Sequence, residues 1–387
     1  MRIALVSRGF SLSWGGAERV AVSVAMELTR AGHDVHVYAG RAEAAAAPPD
    51  GVTLHRVPSG GAFPSAIKVL SFNRNLREGL NSGGYDAVLG LTQVFPLDVY
   101  RASGGVHAHW MRLRYPNRLA RALKYMTSPV HLAVVWLEKK IMEPGNHRLI
   151  IANSNLVKGH IKGYFNVADA DVRVVYNGVD RDVFNPGVKR FREEVRRRLG
   201  VGDERVVGLF VSNNWERKGL ATVLRALSPG GGVTVVVVGR GRKGRFSRLA
   251  KRLGLGGESV VFAGTTERIE EFYGAADFSV LPTQYDPCSN TCLEAMACGL
   301  PVVTTMTNGA SELVTHGENG FVLDEWDDAR TLKGFLTQLA DGRTRERMGA
   351  KAHEAMRDFT WERTAREIAG ICGEAVAIKR KKGAGPR

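Results

Sequence analysis

Short runs of β-branched and other apolar residues alternate along the chain with segments whose apolar positions recur every three or four residues. That alternation predicts parallel sheets covered by helices. In the first half, residues 3–6, 35–38, 53–57, 87–91 and 149–152 read as strands. Between the first two, Val20, Val24 and Leu28 share one face of a helix over 17–30 that Gly32 closes. The second half restarts the pattern with strands at 206–211, 233–238, 260–263, 278–281 and 302–305. Its unbroken Val235-Val236-Val237-Val238 has the composition of a strand buried on both faces. Beyond Leu323 the pattern is helical only, and the last helix begins at Trp361 with Ile368, Ile371, Cys372 and Val376 on a buried face.

The restart follows an apolar run at 174–179, the turn-rich Asn177-Gly178-Val179-Asp180, Pro186 and a charged helix near 190–199. A chain of 387 residues also exceeds what one core usually serves. The pattern therefore predicts an α/β protein of two facing Rossmann-like domains, 1–171 and 172–360. Helix 361–378 is expected to pack back toward the first domain, and 379–387 to form a basic, disordered tail. Ligands of open α/β sheets collect outside the carboxyl ends of the strands, so two such domains in series predict a cleft lined by the loops that follow them.

Composition refines this picture in two places. Cys288, Cys292, Cys298 and Cys372 form no disulfide framework and lack the paired spacing of a zinc site, so a reducing cytosolic setting and no metal are expected. The opening residues turn polar too soon for a signal peptide, and no apolar run reaches the length of about 18 residues that spans a bilayer. The 54 Lys and Arg against 39 Asp and Glu leave +15, clustered at 112–124, 240–252 and 379–382. Such fields attract polyanions, although a solvated basic surface accounts for them equally. Residues 111–140 mix these cations with Leu132, Val134, Val135 and Trp136, which suits contact with an anionic membrane surface and suits a packed helix pair nearly as well.

The segment Tyr285-Asp286-Pro287-Cys288-Ser289-Asn290-Thr291-Cys292-Leu293-Glu294 leaves the end of a strand and enters a helix. Ser289 or Asn290 is expected to cap that helix, with Glu294 one turn inside and the amides of 289–291 forming a seat for phosphate. Two carboxylates beside such a seat can grip sugar hydroxyls on either side of a diphosphate. Arg217 and Lys218 follow the first strand of the same domain and add a guanidinium fork and a mobile ammonium. At the front, Gly15 and Gly16 join the first strand to the first helix, where missing side chains let a ligand approach the backbone. His107 and His109 follow a strand end and suit metal binding, proton traffic or sugar hydrogen bonding.

These elements, with Asp98-Val99-Tyr100-Arg101, Tyr176-Asn177-Gly178-Val179 and Val260-Val261-Phe262-Ala263-Gly264, resemble the retaining glycosyltransferases of family 4, which have the GT-B fold, and among them the lipopolysaccharide-core glucosyltransferases. The resemblance covers nearly the whole chain. It implies that Glu294 holds the ribose hydroxyls, that Asp286 binds the transferred sugar, and that Arg217 and Lys218 neutralise the diphosphate. Gly15, Gly16 and the amides of Ser289, Asn290 and Thr291 would line the donor, Thr265 would lie near the base, and His107 beside the transferred sugar. Asp286 stands where the family has glutamate, Ser289 where the core enzymes have glycine, and Gly104 where they often carry aspartate.

The implied activity is transfer of a hexosyl unit from a nucleoside diphosphate sugar, UDP-sugar favoured, to a glycan or glycolipid hydroxyl, with retention and without a metal. The implied setting is cytoplasmic, at the inner face of the cell membrane. A sugar-nucleotide epimerase or hydrolase of the same fold is the alternative. A nucleic-acid binder is the rival that the charge suggests, but the sequence lacks interleaved aromatics and any recognised module. Two motifs compete with this reading. Asp169-Ala170-Asp171 spells a metal-binding D-x-D but stands in a polar linker. Gly239-Arg240-Gly241-Arg242-Lys243-Gly244, with Glu258 downstream, spells a dinucleotide fingerprint but opens the second crossover of its domain.

Overall fold

The computed structural model describes residues 1–11, 15–42, 48–58 and 65–383, and the chain divides into two compact units. The first comprises Met1–Asn177 with the chain from Trp361 onward, the second Gly178–Thr360. In chain order the first unit holds β1 (Arg2–Phe10), α1 (Gly16–Arg30), β2 (Asp34–Ala42), β3 (Val52–Arg56), α2 (Ser65–Asn81), β4 (Ala87–Gly90) and β5 (Val99–Arg101). Then come α3 (His107–Arg114), α4 (Arg118–Thr127), α5 (Pro129–Met142), β6 (Leu149–Ala152), α6 (Asn155–Tyr164) and β7 (Val172–Val174).

All seven strands run parallel in the order β3-β2-β1-β4-β5-β6-β7. Strand alternation sorts the core into two layers. Ile3, Leu5, Val35 and Val37 pack on the buried face of α1, while Ala4, Val6 and Tyr38 pack with Phe72, Leu76, Ile141, Val157 and Ile161 on the other side. Each fully buried Val, Leu, Ile or Phe among them contributes about 1.5–3 kcal/mol.

Two expectations need correction in this unit, and one strand was not singled out. Residues 172–174 were expected to open the second domain, but β7 pairs with β6 through Ile150 and Val172, Ile151 and Arg173, and Ala152 and Val174, so the second unit starts at Gly178. β5 escapes the hydropathy pattern because it is three residues long and ends in Arg101, a fully buried arginine that reaches Ser103 Oγ at 2.8 Å and Asn177 Oδ1 at 2.7 Å. The final helix, α14 (Trp361–Gly383), runs through the basic stretch expected to be disordered. Its residues Ala365, Ile368, Ile371, Cys372 and Ala375 join the core layer of α1. Lysine and arginine are good helix formers and favour a helix carboxyl end, so the basic stretch simply continues the anchored helix. Residues 384–387 lie outside the described residues.

The second unit holds α7 (Arg192–Leu199), β8 (Val206–Val211), α8 (Leu220–Ala226), β9 (Val233–Val238), α9 (Lys243–Arg252), β10 (Val260–Gly264), α10 (Ile269–Ala275), β11 (Phe278–Val280), α11 (Asn290–Ala297), β12 (Val302–Thr305), β13 (Gly320–Leu323), α12 (Ala329–Gln338) and α13 (Gly342–Ala355). Its six strands are parallel in the order β10-β9-β8-β11-β12-β13. β13, which the hydropathy pattern does not single out, closes the edge where Gly320 passes so near β12 that a Cβ would lie 2.2 Å from the Val302 carbonyl oxygen. In each sheet the strand order reverses once, between β1 and β4 and between β8 and β11, and such switch points are where open α/β sheets hold ligands.

Candidate active site

At the switch point of the second unit, the loop after β8 and the loop after β11 are tied to each other through main chain. Gln284 N–H donates to the Arg217 carbonyl at 2.8 Å, and the Thr283 hydroxyl donates to the same carbonyl at 3.3 Å. Between them Gly219 takes a φ of +80°, and a Cβ there would lie 1.9 Å from the Pro282 carbonyl oxygen. The approach is possible only for glycine.

This packing brings Lys218 Nζ into contact with the Asp286 carboxylate, and both side chains are largely buried. Burial first, and the neighbouring Arg217 guanidinium second, push the pKa of the Lys218 ammonium well down. The Asp286 carboxylate in contact with it works in the opposite direction. The expected cationic clamp is therefore an ion pair with one of the expected sugar-binding carboxylates.

Asp286 is held by its backbone, its N–H donating to Thr307 O at 3.0 Å and its carbonyl accepting from Gly309 N–H at 2.9 Å. Asn308, fully buried, ties the same turn to the helix start: its Oδ1 accepts from Ser289 N–H at 3.1 Å and its Nδ2 donates to Thr304 Oγ1 at 2.8 Å. Ser289 occupies the N-cap position of α11, but its side chain does not cap; its hydroxyl meets that of Thr291 at 2.9 Å. Asn308 supplies the positioning that the serine was expected to give. Asn290 is the first residue of α11, and Glu294, one turn in, is buried with Oε2 2.9 Å from the Tyr273 hydroxyl. Burial, and then the Glu294 carboxylate, push the Tyr273 pKa well above its usual range, so the phenol keeps its proton and donates it. Sequence reasoning missed Tyr273 and Asn308. The Asn308-Gly309 dipeptide after a strand was the one available signal, as a turn marker.

The other expected site residues sit on other elements. Thr265 is exposed just past β10, the edge strand. In the first unit Gly15 precedes α1 with φ −151° and Gly16 begins it. The Glu18 carboxylate occupies the space beside Gly15, where a Cβ would come within 2.8 Å of its Oε2. Leu12, Ser13 and Trp14 of this loop lie outside the described residues. His107 is the first residue of α3, and its Nε2 lies 3.0 Å from His131 Nδ1. Burial, with His131 second, brings its pKa down to about 4, so the ring is neutral near pH 7. His109 does not join it. Its ring stacks on His160 at 3.7 Å between centroids and meets the Tyr164 hydroxyl at 3.3 Å. Among the described residues no group of three or more His, Cys, Asp or Glu side chains is arranged to hold a metal ion.

Both competing motifs have a structural explanation. Asp169 pairs with Lys158 at 3.1 Å and Lys162 at 2.9 Å, fastening a short 3-10 turn to α6. In the G-x-G-x-x-G run, Gly241 leaves room for the Trp215 indole, which a Cβ would meet at 2.0 Å, while nothing lies within 4 Å of a Cβ at Gly244. That indole is anchored by Nε1–H to Ser212 O at 2.9 Å and packs on Phe246 and Phe262, so it braces the loop that carries Arg217 and Lys218.

A model described as Glycosyltransferase Family 4 matches residues 14–183, and one described as Glycosyl transferases group 1 matches 191–355. The chain is 35% identical over 228 residues to a D-inositol 3-phosphate glycosyltransferase of Acidothermus cellulolyticus, covering 54% of this chain and 49% of the relative. It thus spans about half the length of that curated relative. A protein of the same name from Stackebrandtia nassauensis is 28% identical over 406 residues, covering 94% and 87%. Among solved structures, WaaG, a glycosyltransferase involved in lipopolysaccharide biosynthesis, superposes with a TM-score of 0.82 at 20% identity over 96% of this chain and 99% of that one. Anabaena HepE, solved with UDP and glucose, gives 0.72 at 22% identity over 96% and 99%. Matched in both halves by these models, the chain belongs to the family 4 and group 1 glycosyltransferases and has the GT-B fold.

Proposed function

We propose that the protein transfers a hexosyl unit, with retention, from a nucleoside diphosphate sugar to a hydroxyl of a glycan or glycolipid acceptor of the lipopolysaccharide kind, UDP-sugars being the favoured donors. The observation that carries this reading is the Lys218 and Asp286 pair at the β8/β11 switch point beside the start of α11. A diphosphate arriving there competes with Asp286 for the ammonium. Once displaced, Asp286 is free to accept hydrogen bonds from the transferred sugar, while Glu294, braced by Tyr273, takes the ribose hydroxyls. The amides at Ser289, Asn290 and Thr291 receive phosphate oxygens, Thr265 neighbours the base, Gly15 and Gly16 admit the donor closely, and His107 stands by the transferred sugar.

Glycosyl transfer passes through a transition state of oxocarbenium character, and negative charge grows on the departing diphosphate. Arg217, Lys218 and the helix start stabilise that charge in this reading, which needs no metal. UDP in the HepE complexes supports the choice of base. Thermal melts with UDP, GDP and ADP test it. UDP is expected to stabilise the protein, by about 2.7 kcal/mol when present at 100 times its Kd. Melts unmoved by all three nucleotides would remove the donor site. Donor consumption that needs no acceptor would assign the fold to the epimerase or hydrolase alternative.

The acceptor's membrane origin finds support in α4, none of whose side chains is buried. Leu119 at 80% exposure, Leu123, and Met126 at 79% recur at helical spacing on one face, beside Arg118, Arg121 and Lys124. No helix among the described residues is long and apolar enough to cross a membrane, so contact by this face would be interfacial. Sedimentation with phosphatidylglycerol vesicles is expected to pellet the protein, phosphatidylcholine vesicles to leave it in solution, and Leu123→Asp to weaken the first. Equal pelleting with both lipids sinks this part of the reading.

A further inference from the structure

Glu138 is 2% exposed on a face of α5 whose other buried residues are Ala133, Val134, Leu137, Ile141 and Met142. A carboxylate in such company is costly unless it does something an apolar side chain could not. Its Oε1 accepts from the His107 N–H at 2.6 Å and its Oε2 from the Ala108 N–H at 3.2 Å, the first two amides of α3. A serine or aspartate just ahead of α3 could have capped the second of these amides locally. The residue there is Val106, which offers no side-chain acceptor, so the cap comes from another helix.

The same helix also holds the His107 ring. His131 lies seven residues before Glu138, two helical turns, and so on nearly the same face. Its Nδ1 stands 3.0 Å from His107 Nε2, with the two rings stacked at 5.1 Å between centroids. α5 thus grips His107 twice, at the main chain and at the ring. Burial pushes the Glu138 pKa up to about 7, against the pull of the two amides and of Arg8. Arg8 comes from β1 and is hydrogen-bonded to Thr92 Oγ1 at 2.7 Å and to Gln93, both just past β4. Glu138 therefore stands among groups at the switch point of the first sheet.

We propose that Glu138, with His131, is a positioning residue that fixes the His107 imidazole for sugar transfer, an inference that rests on the reading of His107 given above. The test is a double-mutant cycle read in kcat and in the KM for the donor. Glu138→Gln keeps the shape but sets an amide N–H₂ against one of the backbone N–H groups. It is expected to lower kcat about tenfold, less than the roughly hundredfold that a 1 Å misplacement can cost, with the donor KM and the UDP-induced melting shift within twofold of wild type.

In a His107→Ala background the same substitution is expected to change kcat little further. An equal additional loss in that background would make Glu138 a structural residue acting independently, and overturn the inference while leaving His107 in place. Wild-type turnover by His107→Ala alone would instead remove the assigned role of His107, and the inference with it. Should Glu138→Gln fail to fold, His131→Ala, at a half-buried position, enters the same cycle with the same two outcomes.

Discussion

Lys218→Ala is expected to lower turnover about a hundredfold or more, the usual effect of removing one preorganised donor from a developing anion. The substitution also leaves the Asp286 carboxylate buried without the ammonium that touches it. Removing one member of a buried pair costs about 3–5 kcal/mol when nothing relieves the other, so a lower melting temperature accompanies the lost turnover. The stability loss is relieved in the double variant Lys218→Ala/Asp286→Asn, which no longer carries an unpaired buried charge. Its melting temperature is expected to recover toward wild type while kcat stays depressed. Steady-state kinetics and melts on the three proteins measure this. If turnover recovered along with stability, Lys218 would be a structural partner of Asp286 and the proposed leaving-group role would fall.

That pair shows where a linear reading stops. Lys218 and Asp286 could each be assigned to a loop at a strand end, because the runs ahead of them, Val206–Val211 and the apolar stretch at 278–281, are β-branched or aromatic and short. What no periodicity states is that β8 and β11, far apart in the chain, are neighbours in the sheet, so that the two side chains meet. The same limit hides Tyr273 and Glu138. Each sits on the buried face of a helix, and its polar atom gains meaning only from Glu294 or His107 on another element. The strands that escaped notice, β5, β7 and β13, are three or four residues long and take their shape from ladder partners. The basic end of α14 read as disordered because local charge suggested so, whereas the apolar face anchored upstream decides it.

Gly219→Ala is expected to be the most damaging single change in the second unit, with a loss of stability above about 4 kcal/mol, a size reserved for substitutions the native backbone cannot accommodate. The residue's φ of +80° alone costs an L side chain about 1–2 kcal/mol. The larger part is steric. A Cβ would stand 1.9 Å from the Pro282 carbonyl oxygen and 2.9 Å from its carbon, and a backbone carbonyl has no rotamer by which to step aside. Relief requires moving the β11 loop away from the β8 loop, which breaks the Gln284 to Arg217 hydrogen bond and parts Lys218 from Asp286. Urea melts should therefore show a much lower midpoint, and the remaining folded protein should have lost its UDP-induced shift. Gly244→Ala is the matched control. It sits in the first turn of α9 with nothing within 4 Å of the new methyl, and is expected to be neutral or to stabilise by up to about 1 kcal/mol. Were the two glycines to respond alike, the close approach of the two loops would not be what builds the site.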